Sequence, residues 1–380
     1  MYGTGLISNL LGAFHMAEVS IRYSQFVPRV YNLARSLGFE QGKITPSRAF
    51  CSDESQGYPI ILIAKHFGTF PFNHGLVGGI VATDRHGPHA QHGKDLFIIQ
   101  ASHVGFDPET QRFGVYRRLQ TEDQRETSNC GKICGALDWY LHEYEFARNN
   151  IYLYKENNAH KVVIDNQLLH LEREQGLLLK LDQFVQVDAQ GTPAPEQSLS
   201  TSKVFPASPA LLEHLKDYHW ESGRGAPIGR HLHPDLFFFR RNISHHAEGR
   251  DHLEKNLINV MPYVVTSDWP ALTAAQANTQ VEFDRAFRTI VQEPAYKGKK
   301  VLFISGLNVD ISPQQGQLFP LTKFIPWAAY VQDGHGNHET WDQAELFKRL
   351  KQQSTDNPDQ VDLEKAIEIM ERAEEIRLPF

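Results

Sequence analysis

The chain has 380 residues, 41% hydrophobic and 22% charged, with a net charge of -7 at pH 7. That is ordinary globular composition with length for a large core, and the acidic balance argues against nucleic acid or an anionic membrane as partner. Three cysteines exclude a disulfide framework and make a reducing compartment, the cytoplasm, the default.

The opening MYGTGLISNLLGAFHMAEV is mildly apolar, lacks a basic start and a small-residue cleavage pattern, and is too short to span a bilayer, so neither an export signal nor an anchor is expected. FVPRVYNLARSLGFEQG predicts a short helix with Pro28 in its first turn, Val30, Leu33 and Leu37 on one face, and Gly38 as its stop. The runs YPIILIAKHFG, GLVGGIVATDRHG and DLFIIQASHVGFD are near-continuously apolar and end in polar or glycine residues. They predict strands buried on both faces of a parallel sheet.

NCGKICGALDWYLHEYEFARNN predicts a helix capped by Ser128 or Asn129 and stopped by Asn149 and Asn150. KVVIDNQ, DLFFFRRNIS, MPYVVTSD and KKVLFISGLNVD predict further strands, and VDAQGTPAPEQSLSTSK a long surface loop. WDQAELFKRLKQQS and DQVDLEKAIEIMERAEEIRL are charged amphipathic helices, with Leu363, Ile367, Met370 and Ala373 at helical spacing. The expected layout is an N-terminal helical arm (1–44), an α/β domain (45–320) with a mostly parallel sheet flanked by helices, and a C-terminal helical extension (321–380).

In an open α/β sheet, ligands gather at the carboxyl ends of the strands. Cys51 and Asp53 in SRAFCSDES, Asp84 and Arg85 after GGIVAT, and His103 after FIIQAS read as lying at such ends, while Cys130 starts a helix, where free amides favour a thiolate. Cysteine, histidine and cysteine with a fourth position left to water is a catalytic zinc arrangement. The blander readings are also available: Cys51 as a small buried hydrophobe, CSDES as a helix cap, Arg85 as a surface ion-pair partner and RHGPHAQHG as a solvated loop. Cys134 lies one turn after Cys130. Cys130 binds while Cys134 packs, or the reverse, or both bind and close the site.

FCSDES resembles the zinc motif of β-class carbonic anhydrases. The longer pattern HFGTFPFNHGLVGGIVATDRHGP, FIIQASHVGFDP, FGVYRRLQ and SNCGKICGAL resembles the limiting-CO2-inducible protein B/C family, the θ-class carbonic anhydrases. The resemblance is specific from about residue 45 to 140. It implies a Rossmann-like, β-carbonic-anhydrase-like sheet and a homodimer, with zinc on Cys51, His103 and Cys130. It further implies Asp53 beside the zinc-bound water with Arg85 as its guanidinium partner, and reversible hydration of CO2 to bicarbonate. The β-class arginine two places after the aspartate is Ser55 here, so that partner must come from elsewhere, and Arg48 competes with Arg85 for the role. His86, His89 and His92 are candidate proton carriers. The alternative to an enzyme is a non-catalytic scaffold, or an inorganic-carbon sensor, with a closed or structural zinc site.

Overall fold

The structure is a computed structural model that describes residues 14–76, 80–81, 95–117, 125–223, 225–243, 250–317, 319–375, 377 and 379. The chain divides into two compact units, one built on Gly12–Lys132 and Ala275–Phe380, the other on Ile133–Ala274. The expected single domain over 45–320 is thereby interrupted, because the inserted segment hydrogen-bonds into sheets of its own.

The first unit holds an eight-stranded sheet of β1 (Ile21–Arg22), β2 (Ile44–Ala49), β3 (Phe72–Asn73), β4 (Asp95–Asp107), β5 (Arg112–Phe113), β6 (Val301–Ile311), β7 (Leu321–Gln332) and β8 (His338–Trp341). The order is β1-β7-β6-β4-β2-β3, with β8 on β7 and β5 on β4. The pairs β6–β4, β4–β2 and β2–β3 are parallel, so the centre is the expected parallel sheet and the antiparallel strands lie around it. Helices flank both faces. Phe26, Val30 and Leu33 of α1 (Tyr23–Ser36) and Ile63 of α2 (Gly57–Phe67) pack with Phe97, Ile99, Leu302 and Ile304. Leu96, Ile98, Val301 and Phe303 meet Ala286 and Ile290 of a long helix, Pro270–Gln292, on the other face. The alternation of a strand's side chains explains why such runs are apolar throughout.

Several elements depart from expectation. YPIILIAKHFG is α2, not a strand. The Asp53 carboxylate caps a 3-10 turn, Glu54–Gln56, that runs directly into the helix, Pro59 sits in its first turn, and Gly68 at φ +72 ends it. MPYVVTSD is also helical over Met261–Thr266, with Pro262 in the first turn. α1 begins at Tyr23, which puts Pro28 inside the helix, because Tyr23 and Phe26 are both fully buried and draw the first turn into the core. Of GLVGGIVATDRHG only Gly75–Leu76 and Ile80–Val81 are described as strand, and they pair with each other rather than with the central sheet.

The region 321–341 was expected to be helical, yet it supplies β7 and β8. Buried side chains along β7 fix it in the sheet, and the helical extension starts only at Gln343–Gln352 and continues in Leu363–Glu371. The second unit contains a five-stranded antiparallel sheet, which takes in the predicted strand KVVIDNQ as Ala159–Asp165, with Asn166 and Gln167 already helical, and a two-stranded pair with Phe237–Arg240. Residues 187–203 are mostly exposed loop, with the short strand Gln197–Ser198 and, at the end, the start of the strand Ser202–Pro206. Among the described residues no helix is long and apolar enough to cross a membrane.

The last turn of Gln343–Gln352 and the chain beyond it are strapped onto α1 and α2. Arg29 Nη1 donates to the carbonyls of Leu350, Lys351 and Gln353, Tyr31 donates its hydroxyl to Asp359 at 2.7 Å, and Asn357 Nδ2 donates to His66 Nδ1 at 3.1 Å.

Gly306 on β6 admits the Phe324 ring, which stacks on Phe26 at 4.0 Å; a Cβ there would lie 2.4 Å from that ring and 2.5 Å from the Ile325 carbonyl. Gly306→Ala is therefore expected to cost about 1–3 kcal/mol of stability in denaturant unfolding. Gly57→Ala, with helical backbone and open space at its Cβ, should instead be neutral or stabilise by about 0.4–1 kcal/mol.

Burial, reinforced by Lys65, pushes the His66 imidazole down to about 4, and burial, reinforced by Arg48, pushes His74 down to about 3. An unfolded histidine titrates near ~6.5, so below that pH the unfolded chain binds protons that the folded chain refuses. The stability from keeping both rings neutral is complete above that value and falls as pH drops toward 4. Unfolding free energy measured between pH 7 and 4 should show this slope, and His66→Gln should reduce it.

Candidate metal centre

Phe97, Ile99, Ala101 and His103 share one face of β4, and Leu302, Ile304, Asn308 and Asp310 share the same face of β6. The parallel register sets His103 beside Asn308 and Gly105 beside Asp310. Each strand therefore runs from an apolar half into a polar half at its carboxyl end. Cys51 lies two residues beyond the end of the adjacent parallel strand β2.

Cys130 reaches the same place across a long sequence gap. Strands Val115–Arg117 and Glu126–Ser128 pair with each other and lead to Asn129, whose carbonyl accepts the Gly105 N–H at 2.8 Å. The approach requires a glycine: a Cβ on Gly105 would stand 2.3 Å from the Val115 carbonyl and 3.0 Å from the Asn129 Cβ. Asn129 in turn donates its backbone N–H to the Gly114 carbonyl at 3.0 Å.

Cys51, His103 and Cys130 thus converge, with one ligand atom from each lying within 4.8 Å of the others, and all three side chains are buried. The two sulfurs are 3.9 Å apart. Two thiolates on one tetrahedral ion at ~2.3 Å stand about 3.8 Å from each other, whereas a disulfide would bring them to about 2.05 Å. His103 Nδ1 is committed to Asp310 Oδ2 at 2.9 Å, while Nε2 is buried with no hydrogen-bond partner. A buried ring nitrogen left over beside two sulfurs is a donor set fitted to a divalent metal.

The electrostatics also call for a cation. The neighbouring Cys51 sulfur and burial push the Cys130 thiol above its ordinary range, with His103 opposing. Burial disfavours a charged His103, but Cys130 and Asp310 override it and hold the imidazole well above the usual histidine range. Burial likewise raises the Asp310 carboxyl, with His103 pulling it back. The thiol and the carboxyl are thus costly to ionise without positive charge between them, and in its absence the imidazole is drawn to carry that charge.

Asp53 is half-buried, two residues after Cys51, and its Oδ1 accepts the Ser55 N–H at 3.1 Å, the bland capping role. Arg85 lies outside the described residues, as do Asp84, His86, His89 and His92. Arg48 is half-buried over the Phe50 ring, and among the described residues it forms no ion pair with Asp53. Cys134 is half-buried and outside the converging group. Phe67 stacks on Phe97 in the core while Phe70 and Phe72 are exposed, so these rings do not form one wall. Among the described residues no second set of three potential ligands converges; RHGPHAQHG and residues 244–249 of the second histidine-rich stretch lie outside them.

Sequence reasoning missed Asp310, Gln56, Asn129 and the part played by Ser55. The available signal was Asn308 and Asp310, two residues apart in an otherwise apolar strand, where period two puts both on one buried face.

No family model and no curated protein matches the chain. Among solved structures, PtLCIB4, a homolog of the limiting CO2-inducible protein LCIB, matches with a TM-score of 0.50 and 11% identity over 89% of this chain and 99% of that one. The limiting CO2-inducible protein LCIB gives a TM-score of 0.45 and 12% identity over 88% of this chain and 98% of its own. At 11% identity the likeness to PtLCIB4 is one of fold.

Gly105→Ala is expected to displace Val115 and Asn129, and Cys130 with them. Metal affinity, read by competition with a chelating dye, should fall while the secondary structure seen by circular dichroism is retained.

Proposed function

We propose, from a fold shared with an LCIB homolog, that this chain is a zinc carbonic anhydrase interconverting CO2 and bicarbonate. The observation that carries the reading is the meeting of Cys51, His103 and Cys130, with sulfurs 3.9 Å apart and His103 Nε2 left without a partner. Two thiolates and a neutral imidazole offset the charge of a zinc ion. Bound there, zinc supplies a Lewis acid that makes a water molecule nucleophilic near neutral pH.

The protein's own groups do the rest. Asp53, with Oδ1 held by the Ser55 N–H, presents Oδ2 to the proton of the attacking water and so aims its lone pair at CO2. Arg85 is the guanidinium this reading assigns to Asp53. The burial of the three ligands suits a small nonpolar substrate. The reading carries a homodimer with it, as the family resemblance implies.

The burial of all three ligand side chains favours a second reading, a non-catalytic scaffold in which the same metal is structural. Stopped-flow CO2 hydration separates the two. The enzyme reading expects about one zinc per chain, activity abolished together with zinc in Cys51→Ala, and a loss of about 10²–10⁴-fold with zinc retained in Asp53→Asn. Zinc-loaded protein no faster than buffer would leave the scaffold.

A further inference from the structure

Asp310 is fully buried in the core of a parallel sheet, and nothing in the family resemblance gives it a role. Its Oδ2 is approached by three groups: His103 Nδ1 at 2.9 Å, Ser55 Oγ at 2.8 Å and Gln56 Nε2 at 2.7 Å. Thr322 Oγ1 reaches Oδ1 at 3.2 Å. The Ser55 hydroxyl also receives Asn129 Nδ2 at 3.1 Å and Gln56 Nε2 at 3.3 Å, so its own single proton points at Asp310. Gln56 is oriented in the same sense, because its Oε1 accepts from Asn308 Nδ2 at 2.7 Å.

This accounting decides the tautomer of His103. An oxygen already taking a hydroxyl and an amide hydrogen has no place for a proton of its own, so Nδ1 brings the hydrogen, and in the neutral ring that can ligate a metal the lone pair is on Nε2. Nε2 is the buried nitrogen without a partner beside the two sulfurs.

We infer that Asp310 is a positioning residue for the metal site. It locks His103 with Nε2 as the ligating atom, and through Ser55 it ties together the three chain segments that deliver the ligands. Ser55 belongs to the loop after Cys51, Asn129 precedes Cys130, and Asp310 holds His103. The position that carries an arginine in the β-class motif is thus occupied by the hub of a buried crosslink. A carboxylate behind a ligating histidine fixes ring orientation and raises ligand basicity, and removing such a partner costs about 10–100-fold in metal affinity.

The inference rests on the zinc reading of the site but not on turnover, and its test reads metal and tautomer rather than CO2 hydration. Zinc affinity is measured by chelator competition on the full chain. Asp310→Asn is expected to bind about 10–100-fold more weakly, and Ser55→Ala to lose less. Histidine 15N resonances of the zinc-loaded wild type, assigned with His103→Gln, should show His103 protonated at Nδ1 and ligating through Nε2. That second measurement stands even where Asp310→Asn does not fold. Ligation through Nδ1, or an Asp310→Asn chain with wild-type affinity, would overturn the inference. A zinc-loaded chain with the expected tautomer and no CO2 hydration would uphold it and overturn the enzyme reading alone.

Discussion

A carboxylate sealed inside a protein must be surrounded by donors or it does not stay charged. Asp310 meets that demand with donors drawn from three distant parts of the chain, and each of them is thereby fixed in place. Ser55 is held at the head of α2, His103 on β4 and, through Ser55, Asn129 ahead of Cys130. The cluster of sulfur and nitrogen that forms beside them depends on this one buried charge more than on any local motif.

The sheet makes such a cluster possible by its direction. Parallel strands end together, so polar residues placed late in β2, β4 and β6 arrive at one rim. The apolar early halves of the same strands carry the packing against α1 and α2, and the helix Pro270–Gln292 closes the opposite face through Ser102, which accepts from Asn278 at 2.8 Å. The fold and the candidate metal centre are therefore two halves of the same strands.

The legible features were those with a strong local cause. DLFIIQASHVGFD and KKVLFISGLNVD are long β-branched runs and form β4 and β6, and the helix after Cys130 has a clear stop. YPIILIAKHFG was misread because an unbroken apolar run has no period by which to tell a strand from a buried helix. Its real determinants are Pro59 and the Asp53 cap, the role that CSDES also offers as a helix cap. The strands at 321–341 were missed because mixed polar residues mask a strand whose burial comes from its neighbours, β6 above all.

The sequence by itself determined that cysteine, histidine and a carboxylate would lie near strand ends, because strand-forming runs and their polar termini are local facts. Only the tertiary structure decided that Cys51, His103 and Cys130 meet and that Asp310 stands behind them. Contacts spanning 79 and 207 residues are set by sheet register and by a glycine thin enough to let two backbones touch. Those are properties of how strands pair, and no stretch of chain carries them alone.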